Sequence, residues 1–221
     1  MSNGIEFFTA TCLNWQPLLK DDERKQIIMD SLRFMVVDKR IWLYGFVIMP
    51  NHIHLMWTRR DEWVNKSTEQ MLLKYTAQQI KFKIIDSNPP ELENYKSTQS
   101  DRQYHFWERR PYKATMYNRE VASQKIDYIH YNPVKAGLCE RPEDYQYSSA
   151  KFYELNQDDW GFITHFAEHL WSEVGDNAEL RHDPVKAGLC EKPEEYRYSS
   201  GKFHELNQDD WGFITHFAEH T

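Results

Sequence analysis

The chain has 221 residues, is 40% hydrophobic and 15% aromatic, and carries a formal net charge of −7. That length and composition describe a folded chain with a real core and exclude a disordered one. The longest apolar run, IWLYGFVIMP (41–50), is about half of the ~20 residues that a spanning helix needs.

The opening MSNGIEFFTA has no basic segment followed by an apolar one, so a soluble, cytoplasmic protein is expected, with no membrane partner. Cys12, Cys139 and Cys190 form no CxxC pair, which fits a reducing compartment and argues against a thiolate metal site. The acidic average hides an asymmetry. Residues 1–132 carry a formal charge of +3 and residues 133–221 carry −10. A basic front half removes the objection to a polyanionic partner.

The elements follow in chain order. IEFFTATCL (5–13) is rich in aromatic and β-branched residues and reads as a strand. DDERKQIIMDSLRFMVVDKR (21–40) reads as a helix, with acids in its first turn, bases in its last, and Ile28, Leu32 and Met35 on one stripe. IWLYGFVIM (41–49) and HIHLMWTRR (52–60) are two strands joined by the turn pair Pro50-Asn51. KSTEQMLLKYTAQQIKFKII (66–85) is helical, with Leu72, Tyr75, Phe82 and Ile85 as the expected buried stripe and Lys74, Gln78 and Lys81 opposite. A polar loop (87–101) leads to YHFWERRPYKATMY (104–117), a strand that Pro111 assigns to an edge or bulge. NREVASQKIDYIHYNPVKAGL (118–138) begins a helix at an Asn cap, and Pro133 should end or kink it. This order predicts an α+β domain: an antiparallel sheet with helices on one face.

The histidines of MPNHIHLMW (49–57) raise the question of chemistry. In a strand, residues i and i+2 share a face about 6.5–7 Å apart, so His52 and His54 project together while Ile53 enters the core. Such a pair is either a half-exposed structural pair or two ligands converging on a cation. A third donor is available in DYIHYNPVKAGL (127–138), where Tyr128 and Asn132 are one helical turn apart. Two imidazoles, one amide oxygen and open positions suit Mg²⁺ or Mn²⁺ better than Zn²⁺. The tyrosines of that helix also read as ordinary packing.

Taken together, MPNHIHLMW, FWERRPY, DYIHYNPVKAGL and PEDYQYSS resemble the HUH tyrosine transposases, more narrowly the REP-associated tyrosine transposases and their insertion-sequence relatives. The resemblance covers about residues 1–150. It implies a ferredoxin-like sheet core, single-stranded and hairpin-forming DNA as substrate, and a metal-assisted phosphotyrosine step. By the same resemblance His52, His54 and Asn132 are metal ligands and Tyr128 is the nucleophile of a DNA-cleaving and rejoining enzyme. DNA contacts are expected from Arg59, Arg60, Lys74, Lys81, Arg109 and Arg110, with Trp57, Tyr104, Phe106 and Trp107 available to stack bases. Two other readings stay open: a DNA-binding protein that has lost catalysis, and a metal-dependent hydrolase of small molecules.

The tail departs from the family pattern. Residues 133–169 return at 184–220 with five differences: Arg141/Lys192, Asp144/Glu195, Gln146/Arg197, Ala150/Gly201 and Tyr153/His204. Shifting the register puts Glu179 at the place of Tyr128 and Asp183 at that of Asn132, and no HxH precedes them. The expected organisation is a catalytic-type domain (1–150), an extension with an amphipathic helix (151–183), and a duplicated copy without a site (184–221). Monomer and homodimer both remain open.

Overall fold

In a computed structural model, residues 4–98, 103–116 and 118–170 are described; the duplicated copy lies outside them. The chain runs β1 (Ile5–Thr11), α1 (Asp22–Val37), β2 (Ile41–Ile48), β3 (His52–Arg59), α2 (Thr68–Ser87), β4 (Tyr112–Met116), α3 (Arg119–Lys135) and α4 (Ala150–Leu155). The four strands form one antiparallel sheet in the order β2-β3-β1-β4. β3 thus lies between β2 and β1, which is the split β-α-β connection of a β-α-β-β-α-β chain.

Alternation assigns the two faces. Phe8, Ala10 and Cys12 of β1 and its extension join Ile53, Leu55 and Trp57 of β3 and Leu43, Phe46 and Ile48 of β2 in one core. Ile28, Met29, Leu32 and Met35 of α1 and Leu72, Ile80 and Ile84 of α2 close it. Each aliphatic side chain so buried contributes about 1.5–3 kcal/mol. The opposite face carries Phe7, Thr9, His52, His54 and Met56, because the register pairs Thr9 with His54 and Thr11 with His52. Helices therefore cover both faces rather than the one expected, since α3 packs on β2 and β3 from the histidine side.

Two local features allow that packing. Tyr44 is an extra residue where the β2–β3 register shifts between Leu43 and Gly45. At Gly45 a Cβ would lie 2.5 Å from Ile126 Cδ1 of α3, so the glycine provides the close approach. The outer edge of β2 is also covered. Val47 bridges Ser148, the Phe46 amide donates to Ser149 Oγ (2.9 Å), and the Thr164 amide donates to the Leu43 carbonyl (2.9 Å). PEDYQYSS is thus the segment that removes an open sheet edge, and the compact unit extends through Leu170.

Several expectations need correction. α2 buries Leu72, Thr76, Ile80 and Ile84, an i+4 series, and leaves Tyr75, Phe82 and Ile85 exposed. A polar Thr76 fits the core because its hydroxyl donates to the Leu72 carbonyl (2.8 Å). α1 stops at Val37, so Lys39 and Arg40 lie beyond its last turn and Lys39 adopts a left-handed φ of 56°. The strand expected over 104–117 shrinks to Tyr112–Met116, after Pro111 and on the sheet edge. Trp57, Phe106 and Trp107 are buried in the core, which removes them as base-stacking platforms, and Tyr104 lies under the Lys81 ammonium. The Asn cap of α3 is as expected: Asn118 Oδ1 accepts from the Val121 amide (2.8 Å).

Candidate active site

β3 presents His52 and His54 side by side, with ring centroids 4.7 Å apart. Only 8% and 4% of their surfaces remain exposed, which excludes the half-exposed arrangement. Each Nδ1 is occupied. His52 Nδ1 donates to Asn51 Oδ1 (2.7 Å), and His54 Nδ1 shares a hydrogen bond with Thr9 Oγ1 (2.7 Å). His54 Nε2 is buried without a hydrogen-bond partner. A buried polar atom left open needs a reason.

Electrostatics favour neutral rings. Burial lowers the His52 pKa to about 4 and takes that of His54 well below its usual value, with His52 and Lys125 adding to the effect at His54. The Asn132 side chain opposes both shifts. Neutral imidazoles whose Nδ1 is tied down are the state in which histidine ligates a metal through Nε2. Among the described residues no group of three His, Cys, Asp or Glu is arranged to hold an ion, so the third protein donor would be an amide. The donor set His52, His54 and Asn132 fits a hard divalent cation that keeps several positions for water or phosphate oxygen.

α3 brings Tyr128 over this cluster. Its ring is 5.2 Å from His54 and 6.0 Å from Phe7, both in edge-on contact. Asn132, one turn later, donates from Nδ2 to the Tyr128 carbonyl (2.8 Å) and acts on the phenol, the two imidazoles and the helix end together. Burial raises the Tyr128 pKa and the Asn132 hydrogen bond offsets part of that rise, so the group is a phenol at neutral pH. Lys125 Nζ lies 5.2 Å and Lys135 Nζ 5.9 Å from the centre of the same ring. Pro133, buried inside the last turn, does not end the helix at once. The last intrahelical bonds close around it, from the Ala136 amide to the Asn132 carbonyl and from the Leu138 amide to the Pro133 carbonyl.

The four residues expected at the chemistry are thus brought together from two elements, whereas the six cations expected to bind DNA are dispersed. Arg59 and Arg60 close β3 about 20 Å from His52 along the strand. Arg59 is held by Glu6 (3.0 Å) and Glu69 (3.1 Å), and Arg60 lies over Trp42. Lys74 and Lys81 belong to α2, on the other face of the sheet. Only Arg109 and Arg110, exposed just before β4, lie at the end of the sheet where β1 meets His52. A cavity lined by Glu143, Tyr145, Lys151 and Trp160 shares no residue with the histidine cluster.

Sequence reasoning missed Thr9, Asn51, Lys125 and Lys135. Asn51 adjoins the pair, and the two lysines were within reach of helical spacing: Lys125 is three residues before Tyr128 and Lys135 seven after it, along one face. Thr9 carried no signal, because only the strand register reveals it.

The fold is that of a solved transposase. A structure of a REP-associated tyrosine transposase bound to a REP hairpin covers 83% of this chain and 93% of that one, at 18% identity and a TM-score of 0.51. A REP-associated tyrosine transposase from Haemophilus influenzae is 30% identical over 174 residues, which are 73% of this chain and 94% of that protein. The chain belongs to the REP-associated tyrosine transposase family. No family model matches it. No described helix is long and apolar enough to cross a membrane.

Proposed function

We propose that this protein cleaves and rejoins single-stranded, hairpin-bearing DNA through a covalent 5′-phosphotyrosine at Tyr128. The observation that carries the reading is the contact of the Tyr128 ring with His54, with Asn132 acting on both. The solved relative's hairpin supports DNA as the partner.

The chemistry is a transesterification. Tyr128 Oη forms a bond to the scissile phosphorus as the bond from phosphorus to the 3′-oxygen breaks; the phenol proton is released and the leaving oxygen takes one up as a 3′-hydroxyl. One phosphodiester is exchanged for another, so rejoining by a 3′-hydroxyl needs no nucleotide cofactor. At a reference pKa of ~10 about one phenol in a thousand is ionised at pH 7, a cost of roughly 4 kcal/mol that burial increases. The Asn132 hydrogen bond offsets part of that cost, and Lys125 and Lys135 beside the ring attract the phosphate. His52, His54 and Asn132 would hold Mg²⁺ or Mn²⁺, which supplies charge neutralisation at the phosphoryl oxygens. Asn51 and Thr9 orient the imidazoles, and Asn132 ties their position to the helix that carries the nucleophile.

The test uses end-labelled hairpin oligonucleotides with Mn²⁺, run on a denaturing gel. Wild type should yield a nick and a protein–DNA adduct, and Tyr128→Phe should yield neither. Undiminished cleavage by Tyr128→Phe would overturn the mechanism.

A further inference from the structure

Two large aromatic residues bracket the cluster without entering it. Trp15, 46% exposed, follows β1 and sets its ring edge-on to His52 at 5.8 Å. Tyr112, 47% exposed, opens β4 opposite Thr9 and lies 6.1 Å from Phe7, whose ring stacks on His54 at 5.5 Å. A row of rings therefore crosses the sheet, buried and polar in its middle and open at both ends.

The backbone at Trp15 is unusual. Asn14 and Trp15 both take left-handed φ values, 52° and 57°. Asn tolerates that region, but a bulky side chain does not adopt it readily. The turn is fixed from outside: the Asn14 amide donates to Glu108 Oε1 (2.7 Å), the Trp15 amide to the Cys12 carbonyl (3.0 Å), and the Cys12 amide to the Asn51 carbonyl (2.8 Å). Strain held by its surroundings next to a reactive cluster points to a function for the side chain it displays.

We infer that Trp15 and Tyr112 are base-stacking residues that grip the unpaired nucleotides on either side of the scissile phosphate. This rests on the single-stranded DNA reading above. Two half-exposed rings set on either side of the paired imidazoles suit a polymer that alternates flat bases with charged phosphates, and not a protein partner, which needs a continuous apolar patch. Stacking of this kind tolerates any base, so these residues position the strand.

The probe is a labelled DNA hairpin with short single-stranded thymidine tails, compared with the same hairpin whose tails are abasic. Both carry the same phosphates. Binding is read by fluorescence anisotropy with the full chain. Trp15→Ala and Tyr112→Ala should each weaken binding to the thymidine tails by about tenfold, within the range of about 5- to 140-fold that stacking supplies, and leave the abasic probe unaffected. Trp15→Gly should bind as Trp15→Ala does with no lower melting temperature, because glycine accepts the left-handed turn. Unchanged binding in both ring variants, or equal losses on both probes, overturns the inference. Wild-type protein that neither binds nor cleaves either probe defeats the DNA reading itself.

Discussion

The position of Tyr128 depends on Gly45, and a double-mutant cycle tests that dependence. In Gly45→Ala the new Cβ would meet Ile126 Cδ1 at 2.5 Å, while Ser149 Oγ at 3.4 Å and Ile129 Cδ1 at 3.9 Å leave room. The obstacle is one methyl group. Overpacking of this size costs about 1–3 kcal/mol, and at about 2–4 °C per kcal/mol for a chain of this length the melting temperature should fall by roughly 2–12 °C. Ile126→Val deletes that same Cδ1 and alone costs about 0.5–1.5 kcal/mol. Combined, the two should be less harmful than their sum by about 1–2 kcal/mol, since alanine suits a strand better than glycine once the clash is gone.

Activity should follow the same pattern. Ile126 is two residues before Tyr128, so displacing α3 moves the phenol away from His54; a misplacement near 1 Å costs up to ~100-fold in rate. Adduct formation should fall in Gly45→Ala and recover in the double variant. Urea denaturation and the adduct gel measure the two effects. Additive losses in stability, or a double variant as inactive as Gly45→Ala, would refute the claim that this contact sets the helix.

Ionic contacts with DNA should separate by location. Arg109→Ala and Arg110→Ala should each reduce the slope of log K against log salt by about 0.7 for a single strand, whereas Lys74→Ala and Lys81→Ala, on the far face, should leave it unchanged; the reverse pattern would move the binding surface to α2. Ser149→Ala should cost about 1–3 kcal/mol in urea unfolding, because Ser149 Oγ accepts from the Phe46 amide (2.9 Å) and bonds buried His130 Nε2 (2.8 Å). A loss no larger than that of an exposed serine would show that the β2 edge is not held there.

Much of the frame was legible because it is local. Acids begin α1, Asn118 caps α3, Pro111 precedes an edge strand, and the alternation of HIHLMW puts Ile53 in the core and both histidines on the other face. The candidate site was legible for the same reason: i, i+2 in a strand and i, i+4 in a helix are spacings along the chain. What escaped depends on neighbours distant in sequence. The phase of α2 differs from the expected one: Tyr75 and Phe82 are large and aromatic and Thr76 is polar, which favours a stripe through the rings, yet contact with α1 selects the i+4 series Leu72, Thr76, Ile80 and Ile84. The stretch 104–111 reads as a strand because it is rich in aromatic residues, but it forms only isolated bridges, Trp107 with Cys12 and Tyr104 with Lys96.

The two faces of the sheet divide the tasks of the molecule. One face joins α1 and α2 in a continuous apolar core, where polar Thr76 is satisfied locally by the Leu72 carbonyl. The other accepts two desolvated imidazoles, a buried Nε2 without a partner and a half-buried phenol, a cost to folding unless something binds there. β3 can carry both because the strand period is two, so every residue added to the core places its neighbour at the site. A one-residue slip of β3 would exchange Ile53 for the histidines, which is why the bulge at Tyr44 and the covered β2 edge matter for chemistry: they hold the register on which the cluster depends.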